Sequence, residues 1–514
     1  MSKKIPTRRN SRAEKRRRKY RRERIILCIL TMAVICGSVI FWISQNYVLL
    51  GNSFISRDTM VLDLQGKNLR SISSLRIVRN LRSVDLCGNP ISMKQCQAFL
   101  ESHPDCEIVW DVPLLGERYA STSTQLDFTT LSYTSDDTAE IAQALSFFPN
   151  LSQVDMRNCP LSRKEMQQIF AENPQVQFLW DFDVLGQRHV STETSIDLSG
   201  TEIPDEAEFL ETLTCFDHLE SANLMGCGLS MDCMKALRIA MPETSFAWDF
   251  SLFGVTTSTE KTTLNLSGRS ISPEDLQTLR DGIFLLPELK TLDMCDCGLS
   301  NETMAALRQE YPDIKVVWRV YFADWSVRTD ASAFSTNINS SAPRYTSQDF
   351  DVLKYCTDLM SLDLGHQAVD DLSFLQDMVN LRILILVDNK ISDISMLANL
   401  TQLEYVELFL NDIVDISPLS GLENLIDLNL YGCFIEDATP LYGLQKLERL
   451  WIARNELERD QRKALEKALP NCEVNFTADS ATSEGWRRHP RYTDLLEIIQ
   501  TNVWHDWTEE EASK

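Results

Sequence analysis

The residues best able to do chemistry in this 514-residue chain are its 14 cysteines and six histidines. A zinc centre would need cysteine or histidine pairs separated by two to four residues, and a nucleophilic enzyme would need a base beside its nucleophile. Cys295 and Cys297 form a CxC pair, too close for zinc and without a second pair in register. His103, His189, His218, His366, His489 and His505 are scattered and make no HExxH. GxGxxG, the P-loop and GxSxG are likewise missing from the sequence. Asp388, Asp393, Asp412 and Asp415 offer hard oxygens for calcium, but no EF-hand spacing organises them. The chain therefore reads as a non-enzyme, with no catalytic residue, no cofactor and no metal site.

The elements that carry these residues explain them better. Leu359, Leu381, Leu403, Leu425 and Leu447 open five successive 22-residue units. Three and five residues later come Leu362/Leu364, Leu384/Leu386, Val406/Leu408, Leu428/Leu430 and Leu450/Ile452, and the ninth position is Gln367, Asn389, Asn411, Cys433 or Asn455. Five matches to LxxLxLxxNxL resemble the leucine-rich-repeat family, and the 22-residue spacing with Asp393-Ile394-Ser395 and Asp415-Ile416-Ser417 is similar to the bacterial internalin subclass. The resemblance implies one short strand per repeat, stacked so that neighbours bury a common core. In that pattern the ninth slot accepts Asn or Cys, so Cys159, Cys227, Cys297 and Cys433 read as structural residues in the place held elsewhere by Asn89, Asn389, Asn411 and Asn455.

A longer unit precedes this array. Trp110-Asp111, Trp180-Asp181, Trp248-Asp249 and Trp318-Arg319 recur at spacings of 70, 68 and 70 residues, and each follows two strand-like segments such as 62–64 and 84–86. Ser162 with Glu165 reads as a capping box, and Ser272-Pro273 as an N-cap with proline in the first turn. After the tryptophan, a Leu-Gly turn such as Leu115-Gly116 predicts a hairpin.

At the N-terminus, residues 1–24 carry 13 Lys or Arg against two Glu, whereas the remaining chain is at −35. That acidity disfavours nucleic acid as a partner of the body. Residues 25–43 hold no charge and are long enough to span a bilayer; with the basic flank before them, the positive-inside rule predicts a cytoplasmic N-terminus and an extracellular bulk.

The expected fold is an α/β solenoid: a leucine-rich-repeat horseshoe in two arrays on a single N-terminal transmembrane helix. Its domains are a basic arm (1–24), the span (25–43), a juxtamembrane linker (44–61), four units of ~70 residues (62–330), a junction (331–352), the 22-residue repeats (353–457), a cap (458–476) and a tail (477–514) whose apolar Leu495, Leu496, Ile498 and Ile499 predict a helix that docks on the body or on a partner. Strand alternation places Tyr405, Glu407, Phe409, Asp427, Tyr431, Arg449 and Trp451 together on the concave face, expected to face solvent as a partner-binding surface. The functional expectation is recognition of an extracellular protein, peptide or glycan by a protein held in the cytoplasmic membrane. The alternatives are an envelope scaffold that acts through its span and tail, and an envelope hydrolase without a recognisable motif.

Overall fold

A computed structural model describes residues 10–336, 344–483 and 485–505. Parts of the basic arm, the junction and the tail (1–9, 337–343, 506–514) lie outside the described residues. The chain divides into two compact units, one of residues 1–196 with 205–221 and one of 197–204 with 222–514.

The first unit begins with a single helix, Asn10–Asn46, whose Glu14–Asn46 portion is long and apolar enough to cross a membrane. Residues 44–61 differ from the expected linker. Tyr47–Leu50 and Ser53–Ser56 pair as an antiparallel hairpin, because Val48, Leu50 and Ile55 alternate onto one face and are buried.

The 70-residue units share one local plan. In the first, Val61–Asp63, Ser83–Asp85 and Glu107–Val109 form a parallel three-stranded sheet, and a hairpin of Asp111–Leu114 with Glu117–Ala120 follows. The unit with strands Thr263–Asn265, Thr291–Asp293 and Lys315–Val317 repeats it in the second body. Ser92 and Ser162 cap the helices Met93–Ser102 and Arg163–Glu172 through capping boxes, with Gln95 and Glu165 as the return partners.

The Trp-Asp pair now has a physical meaning. Each of the four tryptophans is nearly fully buried. Trp110 exchanges bonds with Ser121 in both directions, as Trp318 does with Thr329, and these bonds close the hairpin. Asp181 accepts from Asn158 N at 2.7 Å and Asp249 from Gly226 N at 2.6 Å, where Asn158 and Gly226 adopt left-handed backbone after the middle strand. In the fourth unit the roles reverse. Asp296 occupies the left-handed position and pairs with Arg319 at 3.6 Å, which accounts for Trp-Arg in place of Trp-Asp.

In the second unit, seven parallel strands form one sheet in sequence order, from Ala333–Ser335 through Ser361–Asp363, Ile383–Ile385, Tyr405–Glu407, Asp427–Asn429 and Arg449–Trp451 to Glu473–Asn475. Ile383 pairs with Tyr405, Tyr405 with Asp427 and Asp427 with Arg449, so register advances by one repeat per strand. Leu362, Leu384, Val406, Leu428 and Leu450 point inward and are wholly buried. Returns are short 3-10 turns such as Ser395–Asn399 and Ser417–Gly421.

The ninth-position side chains stitch the repeats together. Asn411 Nδ2 donates to Leu386 O at 2.8 Å and its Oδ1 accepts from Ile391 N at 3.0 Å; Asn389 and Asn455 make the equivalent bonds. Cysteine keeps the donor half of this arrangement, with Cys227 Sγ on Leu198 O at 3.1 Å, Cys297 Sγ on Leu266 O at 3.0 Å and Cys433 Sγ on Leu408 O at 3.5 Å. A buried carbonyl left without a donor would cost about 1–3 kcal/mol.

Candidate binding face

Tyr405, Glu407, Phe409, Asp427, Tyr431, Arg449 and Trp451 do lie on one face of the seven-stranded sheet, opposite the inward leucines. Their expected exposure to solvent is corrected: none exceeds 5%. Residues 477–483 and 485–505 fold back across the strands from the last toward the first and cover that face. Past the helix Arg459–Ala468 and the strand Glu473–Asn475, the chain turns through Gly485 in left-handed backbone and forms a helix over Pro490–Thr501. Leu495, Ile498 and Ile499 recur at helical spacing and pack against the face with Trp486. At the far edge Asn502 Oδ1 accepts from Ser335 N at 2.9 Å and Trp504 N donates to Ser332 Oγ at 3.0 Å.

Two carboxylates organise the contact. Asp427 accepts from Arg449 of the neighbouring strand at 2.8 and 2.6 Å and from Arg491 of the tail at 3.1 and 3.0 Å. Arg491 also reaches Glu448 at 2.6 Å. Glu407 accepts from Trp486 Nε1 and from Arg487, both at 2.8 Å, and from the Tyr405 hydroxyl. Burial, with Glu407 alongside, holds the Tyr405 hydroxyl protonated far above the ordinary phenol range.

Aromatic groups complete the seal. The Trp451 and Trp486 rings are 5.0 Å apart, and Arg449 lies 4.6 Å from the Trp486 ring. Trp451 Nε1 donates to Ser483 O and Tyr431 OH to Asp479 O, so the face also reads the backbone of the segment above it. Asn429, not among the expected site residues, does the same at Ala481 O over 2.9 Å. Its fifth-position slot on the strand was the available signal.

The remaining expected chemistry is elsewhere and self-contained. Asp388 pairs with Arg344 and His366, while Asp393 and Asp415 accept from the backbone N–H groups of Ser395 and Ser417. Among the described residues no group of three His, Cys, Asp or Glu is disposed to hold a metal. In the first unit a cavity of about 690 Å³ lies beside Trp180, and four of its charged groups pair there, Arg188 with Asp181 and Arg163 with Glu211.

Parallel strands in one-repeat register, joined by an asparagine and cysteine ladder, decide the architecture. The fold is a leucine-rich-repeat solenoid. No family model matches the chain, and no curated protein does. Among solved structures it is similar to internalin C2 of Listeria monocytogenes str. 4b F2365, at 18% identity over 53% of this chain and 93% of that one, with a TM-score of 0.25. Internalin InlF of the same strain matches at 15% identity over 84% and 87%, with a TM-score of 0.23. A leucine-rich-repeat protein of Leptospira interrogans matches at 15% over 80% and 95%, with a TM-score of 0.25. Likeness at this level carries no functional argument.

Proposed function

We propose that this chain is a recognition protein, anchored in the cytoplasmic membrane through residues 25–43 with its two repeat arrays outside, whose strand face binds a protein or peptide partner. In this reading the solenoid is a horseshoe and its tail is a built-in competitor. The supporting observation is what the face already holds. Glu407, Asp427, Tyr431 and Trp451 grip a peptide segment by charge pairs, ring packing and bonds to its backbone carbonyls. These are the interactions by which interfaces hold a peptide.

A tethered tail acts at an effective concentration near the millimolar range for a short flexible link. A partner must displace it, and its apparent affinity falls by the fraction of chains in which the face is open. Binding of candidate extracellular proteins, peptides and glycans to the detergent-solubilised full chain tests this, comparing wild type with Arg487→Ala/Arg491→Ala, which loosens the tail, and with Trp451→Ala. The expected partner binds the loosened variant more tightly and loses about 2 kcal/mol or more on Trp451→Ala. Equal binding by all three moves the site off this face.

A second reading is favoured by the same cover. If the tail never leaves, the chain acts as an envelope scaffold, and its function survives changes on the face but fails when residues 477–514 are removed.

A further inference from the structure

The membrane-proximal end presents a surface that the recognition reading leaves unused. In the hairpin, Val48, Leu50 and Ile55 are buried, while Leu49 and Phe54, paired across the strands, point the other way. Leu49, Phe54, Met60 and Val61 are 57, 63, 53 and 71% exposed, large apolar side chains close together in the chain. Ile77 adds a further exposed apolar side chain in the next turn.

This surface is tied to the end of the apolar helix. Arg57 N donates to Asn46 O at 2.8 Å, and the Arg57 guanidinium reaches Ser44 O. The Trp42 and Tyr47 rings, one from the helix and one from the hairpin, stand 5.8 Å apart. No flexible spacer separates the two, so the hairpin sits where the helix leaves the hydrocarbon.

Charge distinguishes the same stretch. Residues 47–82 hold six Lys or Arg against two Asp, in a chain whose part beyond residue 24 is at −35. Arg79 and Arg82 are exposed and adjoin the apolar group, since Arg79 N donates to Arg57 O at 3.0 Å and Arg82 N to Met60 O at 2.8 Å. Apolar side chains beside arginines, at a helix end and in an otherwise acidic chain, match an anionic lipid interface and little else that this chain would meet.

We infer that residues 47–82 form a lipid-docking surface: Leu49, Phe54, Met60 and Val61 enter the outer interfacial layer while Arg79 and Arg82 contact anionic headgroups. The first repeat is thereby held on the bilayer instead of swinging from it. The inference rests on the membrane-anchor part of the proposed function. Acidic repeats beyond are repelled by the same headgroups, which leaves this end as the contacting one.

Hydrogen exchange on the full-length chain in nanodiscs tests it, with phosphatidylcholine alone compared with phosphatidylcholine containing phosphatidylglycerol. The variants are Phe54→Ser and Arg79→Gln/Arg82→Gln, and exchange in residues 383–451 reports that each remains folded. The expected result is slower exchange over 47–61 and 76–82 in the anionic discs, falling back by about fivefold for each arginine removed. Equal exchange in both discs and in all variants overturns the proposal, as does protection that follows the number of chains per disc instead of the lipid charge. A chain that stays soluble without detergent or lipid overturns the anchor reading itself, a different outcome from either.

Discussion

His489 caps the tail helix through an unprotonated ring nitrogen, its Nδ1 accepting from Arg491 N at 3.3 Å. Burial lowers its pKa, and Arg449 and Arg491 push it down further, against smaller opposing effects from Asp427 and Glu448. The folded chain therefore takes up this proton less readily than the unfolded one. Its contribution is fully present above the ordinary histidine range, roughly pH 6.5, and is lost as pH falls through the lowered value. Asp363 acts in the opposite sense, because burial raises its carboxyl and the stability tied to its protonated form is lost as pH rises through that raised value. Comparing wild type with His489→Asn, which can cap without titrating, isolates the histidine. Wild type should show faster amide exchange over 486–504, corrected for intrinsic rates, as pH drops from about 7 to 5. His489→Asn should flatten that trend, and parallel trends in the two proteins would remove His489 as the cause.

The tail as an element is held by Asp427, which serves a strand arginine and a tail arginine at once. Asp427→Ala leaves two buried guanidinium groups without their shared carboxylate and should cost about 3–5 kcal/mol. Arg491→Ala leaves Asp427 still paired with Arg449, so it should cost less and act mainly on the tail. The double variant should cost clearly less than the sum of the singles in denaturant unfolding; additive costs would mean that the tail arginine and the carboxylate are not energetically coupled. This element also marks where sequence reading stopped. The 22-residue period, the inward leucines, the cysteines in the asparagine slot and the capping box at Ser162 were all legible, because each depends on residues near in sequence or one repeat away. The grouping of Tyr405, Asp427, Arg449 and Trp451 on one face was legible for the same reason. That the tail helix would dock on the body or on a partner was legible from Leu495, Leu496, Ile498 and Ile499; which surface it covers was not, since alternation tells which face a side chain takes but not what returns over it about 80 residues later, as Trp486 does on Glu407. The run of Ile383, Ile385, Val387 and Phe409 on that face was the available hint, being too apolar for open water.

At the scale of the whole molecule, stability comes from repetition. Each repeat buries its leucines only against its neighbours, and the ladder of asparagine and cysteine satisfies the turns between them. Beyond the N-terminal helix, Cys87, Cys96, Cys106, Cys159, Cys215, Cys227, Cys295, Cys297, Cys356, Cys433 and Cys472 are free thiols. Burial pushes Cys96, Cys356 and Cys472 up to about 12, and burial with Asp85 does the same to Cys87. Cys215 and Cys433 are raised by burial to about 11. Almost none of these side chains is thiolate near neutral pH, and the thiolate is the form that is alkylated or oxidised. The solenoid can then carry many thiols without bridging them even where oxidant reaches it, provided it stays folded. The full chain should melt at the same temperature with and without reductant, and iodoacetamide at pH 7.5 should label the cysteines beyond the N-terminal helix only slowly until denaturant is added, when all react. A melting point lowered by reductant would show that bridges form in the protein, and fast labelling of Cys96 or Cys356 in the native state would show that the repeats open far more often than their packing implies.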